Sequence, residues 1–285
     1  MVDKDILVSA ELLASRLDEP GWAIIDCRFE LGDPDAGREA YRAGHIPGSV
    51  YLDLDRDLAG PVTRATGRHP LPDIGRIEAR LGELGIGNHT RVIVYDDSHG
   101  GIAARAWWIL RWLGHDEVGL LDGGLARWRQ RGLRLEAGEA APSREQFRAA
   151  LRPELVVTTD EIVAALKQNQ GLNLLDARDE LRFRGEEEPI DPVAGHIPGA
   201  TNAPYIDFVH PDGTWRHLEE RRQRLEQALG DRLQDEWSVM CGSGVTACHL
   251  VISALEAGLR EPRVYVGSWS EWIRGGRRPI AGGTT

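Results

Sequence analysis

The chain carries the same short pattern twice, about 150 residues apart. In each half an aspartate ends an apolar stretch, and a Gly-His-Ile-Pro-Gly motif follows. The aspartates, Asp26 and Asp176, are 150 residues apart, and the histidines, His45 and His196, are 151 residues apart. This period is too long for a solenoid unit, so it predicts two copies of one domain. A length of 285 residues agrees with two domains of ordinary size.

Each copy is predicted to alternate strands and helices. Short Val- and Ile-rich runs, interpreted as buried strands, lie at 22–26, 91–95, 173–176, 237–240 and 263–266. Helical patterns lie at about 8–17, 101–113, 123–131, 159–168, 217–229 and 245–258. This alternation predicts an α/β fold in which each domain has a parallel sheet with helices on both faces.

The predicted domain boundaries follow from the stretch 136–153. It is rich in Ala, Glu and Arg, contains two prolines and lacks the periodicity of a core element, so we interpret it as a linker. The predicted domains are therefore 1–135 and 154–285.

Composition restricts the class of protein. A net charge of -11 argues against nucleic acid or an anionic membrane surface as the main partner, although small anionic substrates stay possible. Three cysteines without a C-x-x-C pair argue against a disulfide framework and a structural zinc site. The first residues have no apolar segment typical of a signal peptide, and no run approaches the ~18 apolar residues of a membrane span. We therefore expect a cytoplasmic protein.

The two copies differ after one strand. The strand 237–240 is followed by Cys-Gly-Ser-Gly-Val-Thr-Ala at 241–247 and then a helix, whereas the matching strand 91–95 is followed by Asp96. Ligand sites in open parallel sheets lie at the carboxyl ends of the strands. We therefore expect the second domain to be catalytic and the first to be catalytically silent.

The Cys241 loop has the composition of an anion cradle. Gly242 and Gly244 let backbone N–H groups of the loop, including those of Val245 and Thr246, converge near the start of a helix. Such a cradle favours a nucleophilic thiolate and would stabilise a persulfide. The simpler reading is a buried cysteine before a glycine turn. A cysteine phosphatase is disfavoured, because the sixth residue after the cysteine is Ala247 instead of the arginine that grips phosphate.

Several motifs together carry a resemblance to a known family. They are the two Gly-His-Ile-Pro-Gly motifs, the loop 241–247, Leu-Leu-Asp-Gly-Gly at 120–124 and Tyr-Val-Gly-Ser-Trp-Ser-Glu-Trp at 265–272. Both halves resemble rhodanese domains, and the chain is similar to the tandem-domain thiosulfate/3-mercaptopyruvate sulfurtransferases from about residue 5 to 275. The resemblance implies a persulfide on Cys241 and no metal or organic cofactor. It also implies transfer of the sulfur to cyanide, a small thiol or a thioredoxin-like protein.

The loop also bears on the sulfur donor. Thiosulfate-type loops carry basic residues after the cysteine, whereas Gly242 and Ser243 resemble the neutral loop of 3-mercaptopyruvate enzymes. By that resemblance Ser243 would act with a histidine and an aspartate of the first domain, which align with His45 and Asp35.

The resemblance assigns substrate carboxylate binding to Arg182. Mercaptopyruvate enzymes have a second such arginine in a Pro-rich segment, but here that segment, 186–192, is acidic and lacks one. Arg184 is the substitute that the sequence offers. Two alternatives stay open: a rhodanese specific for thiosulfate, and a non-catalytic rhodanese-like binding module.

Overall fold

The computed structural model describes residues 5–168 and 171–282, which form two compact units. As far as they are described, the first comprises Met1–Gly60, Leu71–Arg152 and Val209–Trp215, and the second comprises Pro61–Pro70, Pro153–Phe208 and Arg216–Thr285. The short segment Pro61–Pro70 therefore belongs to the same unit as Cys241, although it comes from the first half of the chain. No helix within the described ranges is long and apolar enough to span a membrane.

Each unit contains one five-stranded parallel sheet. The strands of the first are β1 Leu7–Val8, β2 Trp22–Asp26, β3 Val50–Tyr51, β4 Arg91–Tyr95 and β5 Val118–Leu121, in the order β1-β5-β4-β2-β3. Those of the second are β6 Val156–Val157, β7 Leu174–Asp176, β8 Thr201–Asn202, β9 Ser238–Met240 and β10 Arg263–Tyr265, in the order β6-β10-β9-β7-β8. The two orders are equivalent strand by strand, which confirms the predicted α/β fold in two copies.

Helices connect the strands in both units. In the first they are α1 Ala10–Ala14, α2 Ala36–Ala43, α3 Ile74–Glu83, α4 Ala103–Trp112 and α5 Gly124–Gln130. In the second they are α6 Thr159–Lys167, α7 Glu180–Arg184, α8 Leu218–Leu229, α9 Ala247–Glu256 and α10 Ser268–Trp272. Short 3₁₀ helices lie at Pro153–Leu155, Tyr205–Phe208, Gly230–Arg232 and Ile273–Gly275.

The predicted linker is mostly an ordered part of the first unit. The backbone of Glu136 pairs with that of His45, and the N–H of Ala150 donates to the carbonyl of Leu113 at 2.8 Å. These bonds satisfy backbone groups of a segment that has no periodic apolar face. The boundary between the two units therefore lies between Arg152 and Pro153.

The duplicated motifs form the same buried ion pair in both units. Arg28 binds Asp26 at 2.7 Å and the carbonyl of Gly44 at 2.8 Å. In the second unit Arg178 binds Asp176 and the carbonyl of Gly195 at the same distances. Each pair ties the end of a central strand to the turn of the Gly-His-Ile-Pro-Gly motif. The repeated residues therefore have the same structural role in both units.

Candidate active site

Cys241 directly follows β9, at the carboxyl end of a central strand, and is buried. Its N–H donates to the hydroxyl of Ser268 at 3.1 Å, and its carbonyl accepts from the N–H of Trp269 at 3.1 Å. Both main-chain polar groups are thus held by the segment after β10. This arrangement places the thiol at the start of the loop that leads to α9.

The loop between Cys241 and α9 turns tightly because of Gly244. This residue has φ +73°, and a Cβ there would lie 2.5 Å from the carbonyl oxygen of Val266, so only glycine fits. Val245 is buried, and Thr246 directly precedes the first residue of α9. Residues 242–247 include no acidic side chain. The partial positive charge of the helix start is therefore left to the sulfur of Cys241 or to a bound anion.

The corresponding loop of the first unit contains its own anion. One carboxylate oxygen of Asp96 accepts from the N–H groups of Ser98 and Gly100 at 2.8 and 2.9 Å. The other accepts from those of Ile102 and Ala103 at 2.8 and 2.7 Å. The same strand–loop–helix geometry thus binds a negative group where the second unit has a thiol. Because these four donors are already used, we expect no substrate anion to bind there.

Ser243 is paired with a histidine that differs from the predicted one. Its hydroxyl oxygen lies 2.8 Å from Nδ1 of His69, and both side chains are buried. His69 lies in Pro61–Pro70, the segment of the first half that belongs to this unit. The structure therefore corrects the assignment of His45 to this contact and gives it to His69.

His45 has the same local role as its counterpart His196. Nδ1 of His45 lies 2.7 Å from the carbonyl of Tyr41 and its ring stacks on that tyrosine, while His196 makes the equivalent contacts with Phe183. Each ring thus stabilises the turn of its own Gly-His-Ile-Pro-Gly motif. Asp35, the predicted third member of the relay, is an exposed residue before α2 that pairs with Arg56 at 2.8 Å. These contacts give His45 and Asp35 structural roles in the first unit.

Arg182 lies next to the Cys241 loop. A Cβ at Gly242 would be 3.5 Å from one terminal nitrogen of Arg182, so the missing side chain leaves room for the guanidinium. The guanidinium is held by Glu188 at 2.8 Å and by Asp191 at 3.2 Å, and both carboxylates are buried. The acidic segment after α7 therefore orients the arginine, which the sequence did not reveal.

Arg184 is not brought to the loop. Its guanidinium is half exposed and pairs with Glu180 and Glu186 on the surface of the second unit. Arg182 and Arg184 are two residues apart in a helix, so their side chains point in different directions. The structure thus gives Arg184 surface ion pairs, and its role in donor binding stays a prediction.

The other two cysteines are in different surroundings. Burial raises the pKa of the Cys27 thiol well above its usual value, and the neighbouring Asp26 and Asp96 raise it further. Cys248 is buried in α9, and its thiol donates to the carbonyl of Gly244 at 3.4 Å. The raised pKa makes the Cys27 thiol a poor nucleophile, and Cys248 lies inside α9 and not at a strand end. Cys241 is therefore the candidate.

Ser268 binds the backbone N–H of Cys241 and itself has a strained backbone conformation. Its φ is +51°, which is rare for a residue with a side chain, and it is fully buried. Its hydroxyl donates to the carbonyl of Tyr265 at 2.8 Å and accepts from Cys241. The equivalent residue of the first unit is Gly124, with φ +52°. A serine at this position costs about 1–3 kcal/mol of backbone strain, and its hydroxyl accepts the hydrogen bond of the Cys241 N–H.

We expect Ser268→Ala to lower the rate at which iodoacetamide alkylates Cys241 by about 3- to 10-fold, because it leaves the Cys241 N–H without a partner. Ser268→Gly should lower this rate similarly but be more stable than Ser268→Ala by about 1 kcal/mol, because glycine relieves the strain. Urea unfolding and the rate at which iodoacetamide alkylates Cys241 would measure the two effects. Ser49→Ala, which removes a buried hydroxyl in the first unit, is the matched control. An unchanged alkylation rate in Ser268→Ala would contradict the positioning role.

Both halves of the chain are similar to known proteins. Residues 9–131 and 158–274 each match the family of the rhodanese-like domain. A protein of Pseudomonas aeruginosa named probable 3-mercaptopyruvate sulfurtransferase is 48% identical, over 97% of this chain and 98% of its own length. Human 3-mercaptopyruvate sulfurtransferase is 37% identical, over 93% and 91%. The crystal structure of SseA from Escherichia coli, described as a 3-mercaptopyruvate sulfotransferase, superposes with a TM-score of 0.82 at 33% identity, covering 93% of this chain and 99% of that one.

Proposed function

The chain belongs to the rhodanese family of sulfurtransferases, and we propose that its sulfur donor is 3-mercaptopyruvate. Ser243 lies two residues after Cys241, and the observation that carries this proposal is its hydrogen bond with His69. The donor sulfur of 3-mercaptopyruvate is a thiol and carries a proton, whereas the sulfur of thiosulfate does not at neutral pH. A buried hydroxyl–imidazole pair can accept such a proton, so it serves the first donor and has no corresponding task with the second.

The proposed transfer leaves sulfur on Cys241. The Cys241 thiolate attacks the sulfur of the donor, and the carbon–sulfur bond breaks with its electron pair moving to carbon. The resulting enolate of pyruvate takes up the proton that left the thiol, which gives pyruvate. Cys241 keeps the sulfur as a persulfide anion, and the N–H groups at the start of α9 stabilise its charge.

Arg182 positions the donor in this scheme. Its guanidinium lies over Gly242, and the donor carboxylate is a planar anion that such a fork binds through two hydrogen bonds. Glu188 and Asp191 fix the orientation of Arg182 before the donor arrives. Preorganisation of this kind lowers the entropy lost on binding.

The second half of the reaction regenerates the thiolate. A nucleophilic acceptor attacks the outer sulfur of the persulfide, and the sulfur–sulfur bond breaks with its electron pair returning to Cys241. Cyanide, a small thiol or a reduced thioredoxin-like protein would serve as this acceptor. A persulfide carrier needs free thiols, so we propose a reducing compartment such as the cytoplasm.

The test compares the two donors directly. We expect kcat/KM for sulfur transfer to cyanide to be about 100-fold higher with 3-mercaptopyruvate than with thiosulfate, which corresponds to about 2.7 kcal/mol of transition-state binding. Mass spectrometry should detect one added sulfur atom on the peptide that contains Cys241. A preference for thiosulfate would assign the chain to thiosulfate-specific rhodaneses instead. Absence of any added sulfur with both donors would favour a non-catalytic binding module.

A further inference from the structure

Three exposed arginines lie on two adjoining segments of the second unit. Arg64 lies in Pro61–Pro70, Arg274 lies in the 3₁₀ helix after α10, and Arg277 lies two residues beyond the end of that helix. The guanidinium of Arg274 donates to the carbonyl of Thr63, the residue before Arg64, and so joins the two segments. We call Arg64, Arg274 and Arg277 the arginine patch.

The arginine patch has no acidic counter-charge of its own. Across residues 5–168 and 171–282 none of its three guanidiniums forms an ion pair. The carboxylate of Glu271, in the preceding helix α10, accepts from the hydroxyl of Thr159 instead. Several other exposed arginines do pair with carboxylates: Arg16 with Glu19, Arg131 with Glu11, Arg144 with Glu83, Arg222 with Glu226 and Arg260 with Glu236. In a chain with 45 acidic and 34 basic residues, the patch is therefore a local excess of positive charge.

The two segments that carry the patch also contact the Cys241 loop. His69, five residues after Arg64, contacts this loop through its hydrogen bond. Trp269, five residues before Arg274, donates its N–H to the carbonyl of Cys241 at 3.1 Å. Five residues span at most about 18 Å, so the patch lies on the rim of the active site.

The two segments are packed against each other by their backbones. A Cβ at Gly67 would lie 2.4 Å from the carbonyl oxygen of Gly267, so only glycine allows this approach. The N–H of Arg68 donates to the hydroxyl of Ser270 at 2.9 Å. These contacts fix the places from which the patch arginines project, whether or not a partner is bound.

Exposed apolar side chains accompany the patch. Val62 lies two residues before Arg64 and is 55% exposed, and Ile280 lies three residues after Arg277 and is 40% exposed. Arginine is enriched in protein–protein interfaces, where it accompanies apolar side chains. Small ligands bind instead in concave sites that bury most of their surface. The composition of this rim therefore favours a protein partner.

The partner that must contact this rim is the acceptor of sulfur. Cys241 is 2% exposed, so an acceptor protein has to bring its own thiol to the persulfide and cover the surrounding rim. The patch attracts carboxylates within a Debye length of about 8 Å. Nucleic acid or an anionic membrane extends far beyond the patch and is repelled by the remaining surface of a chain with a net charge of -11. A compact acidic surface around a thiol fits these conditions.

We propose that the arginine patch docks an acidic acceptor protein whose reactive thiol is flanked by carboxylates. The inference rests on the proposed function and deepens its second half-reaction. The acceptor thiol loses its proton, and its sulfur bonds to the outer sulfur of the persulfide anion. The sulfur–sulfur bond breaks with its electron pair returning to Cys241. The acceptor leaves with a persulfide group, which takes up the proton.

The test measures discharge of the Cys241 persulfide by two peptides. Each peptide has one cysteine, which is flanked on both sides by glutamates in the first peptide and by glutamines in the second. The enzyme is loaded with either donor, freed of it and mixed with the peptide at low ionic strength. The wild-type and variant rates are compared for the same peptide, because their ratio cancels the intrinsic reactivity of the peptide thiol.

The variant combines Arg64→Gln with Arg277→Gln and keeps Arg274, which holds Thr63. With the glutamate peptide we expect discharge to be about 5- to 10-fold slower than in the wild type, because rim charges accelerate encounter with an oppositely charged partner. With the glutamine peptide the rates should agree within about twofold. High ionic strength should abolish the difference for the glutamate peptide, because salt screens exposed charges.

Two further variants separate charge from structure. Arg64→Lys combined with Arg277→Lys keeps both charges and should discharge to the glutamate peptide within about twofold of the wild type. Arg76→Gln combined with Arg222→Gln is the matched control, since it removes two exposed arginines from α3 and α8. This control should match the wild type with both peptides.

Two results would overturn the inference. One is a glutamine-substituted variant that discharges to the glutamate peptide at the wild-type rate or is slowed equally with both peptides. The other is a loading rate with 3-mercaptopyruvate that falls as much as the discharge rate, which would make the patch a guide for small anions. A failure of the proposed function is distinguishable from both, because the wild-type chain would then gain no sulfur from either donor before any peptide is added, and this inference would fail with it.

Discussion

Replacing Cys241 by serine is expected to lower sulfur transfer from either donor by at least about a thousandfold. Serine keeps the size of the side chain and its place after β9, but a hydroxyl is not ionised at neutral pH and does not form a persulfide. The cradle at the start of α9 would be intact and would lack its nucleophile. Thiocyanate formation and the mass of the Cys241-containing peptide measure the loss.

The other cysteines provide matched controls for this variant. Cys27→Ala removes a buried thiol from the first unit, whose raised pKa keeps it neutral, and should leave kcat/KM unchanged. Wild-type rates in Cys241→Ser, or a loss in Cys27→Ala at equal stability, would refute the assignment of the nucleophile. A comparison of urea unfolding curves would exclude loss of fold as the cause.

The second large effect is expected at the Ser243–His69 pair. His69→Gln and Ser243→Ala should each lower kcat with 3-mercaptopyruvate by about 100-fold, the usual contribution of a positioned acid–base group. The double variant should be little worse than either single one, because the two side chains act through one hydrogen bond. With thiosulfate, which brings no thiol proton, we expect changes below about threefold.

Two turn histidines test the specificity of that result. His196→Gln is the matched control, since His196 braces the Gly-His-Ile-Pro-Gly turn and contacts Phe183. His45→Gln removes the histidine that sequence resemblance favoured. A 100-fold loss in His45→Gln together with normal rates in His69→Gln would restore the sequence-based assignment. Equal losses with both donors in His69→Gln would indicate a structural role.

Elements with a long apolar pattern were predictable, and short ones were not. The strands at 22–26 and 91–95 are confirmed as β2 and β4 with the same bounds. Each is a short apolar run, with five buried residues in β4 and three in β2, and such a run leaves a clear signal. The edge strands β1 and β3 have two residues each and no periodicity of their own. Tertiary pairing with longer neighbours defines them, and the same is true of β6 and β8.

The residues around Cys241 were predictable only where local sequence decides their position. Arg182 follows the first central strand of its unit within a few residues, so its place at the carboxyl edge follows from topology. His69 and Arg68 lie more than 170 residues before the loop that they contact. The pair Arg68-His69 gave no distinguishing signal, because the second half has the pair Arg216-His217 at nearly the same offset, 148 residues later. The charged segment around Glu188 resembled a solvated surface because burial of a carboxylate depends on its distant partners.

The sequence by itself determined the duplication, the parallel sheets and the single thiol at a strand end followed by a glycine loop. These features depend on residues close together in the chain, and local periodicity and backbone freedom are sufficient to specify them. Only the tertiary structure decided that His69 rather than His45 contacts Ser243, and that Arg68 and Asp191 join Arg182 over Gly242. Such contacts arise when a segment without a pattern, Pro61–Pro70, folds onto a unit formed mostly by the other half of the chain. Long-range packing selects them, because no local propensity distinguishes one polar loop residue from another.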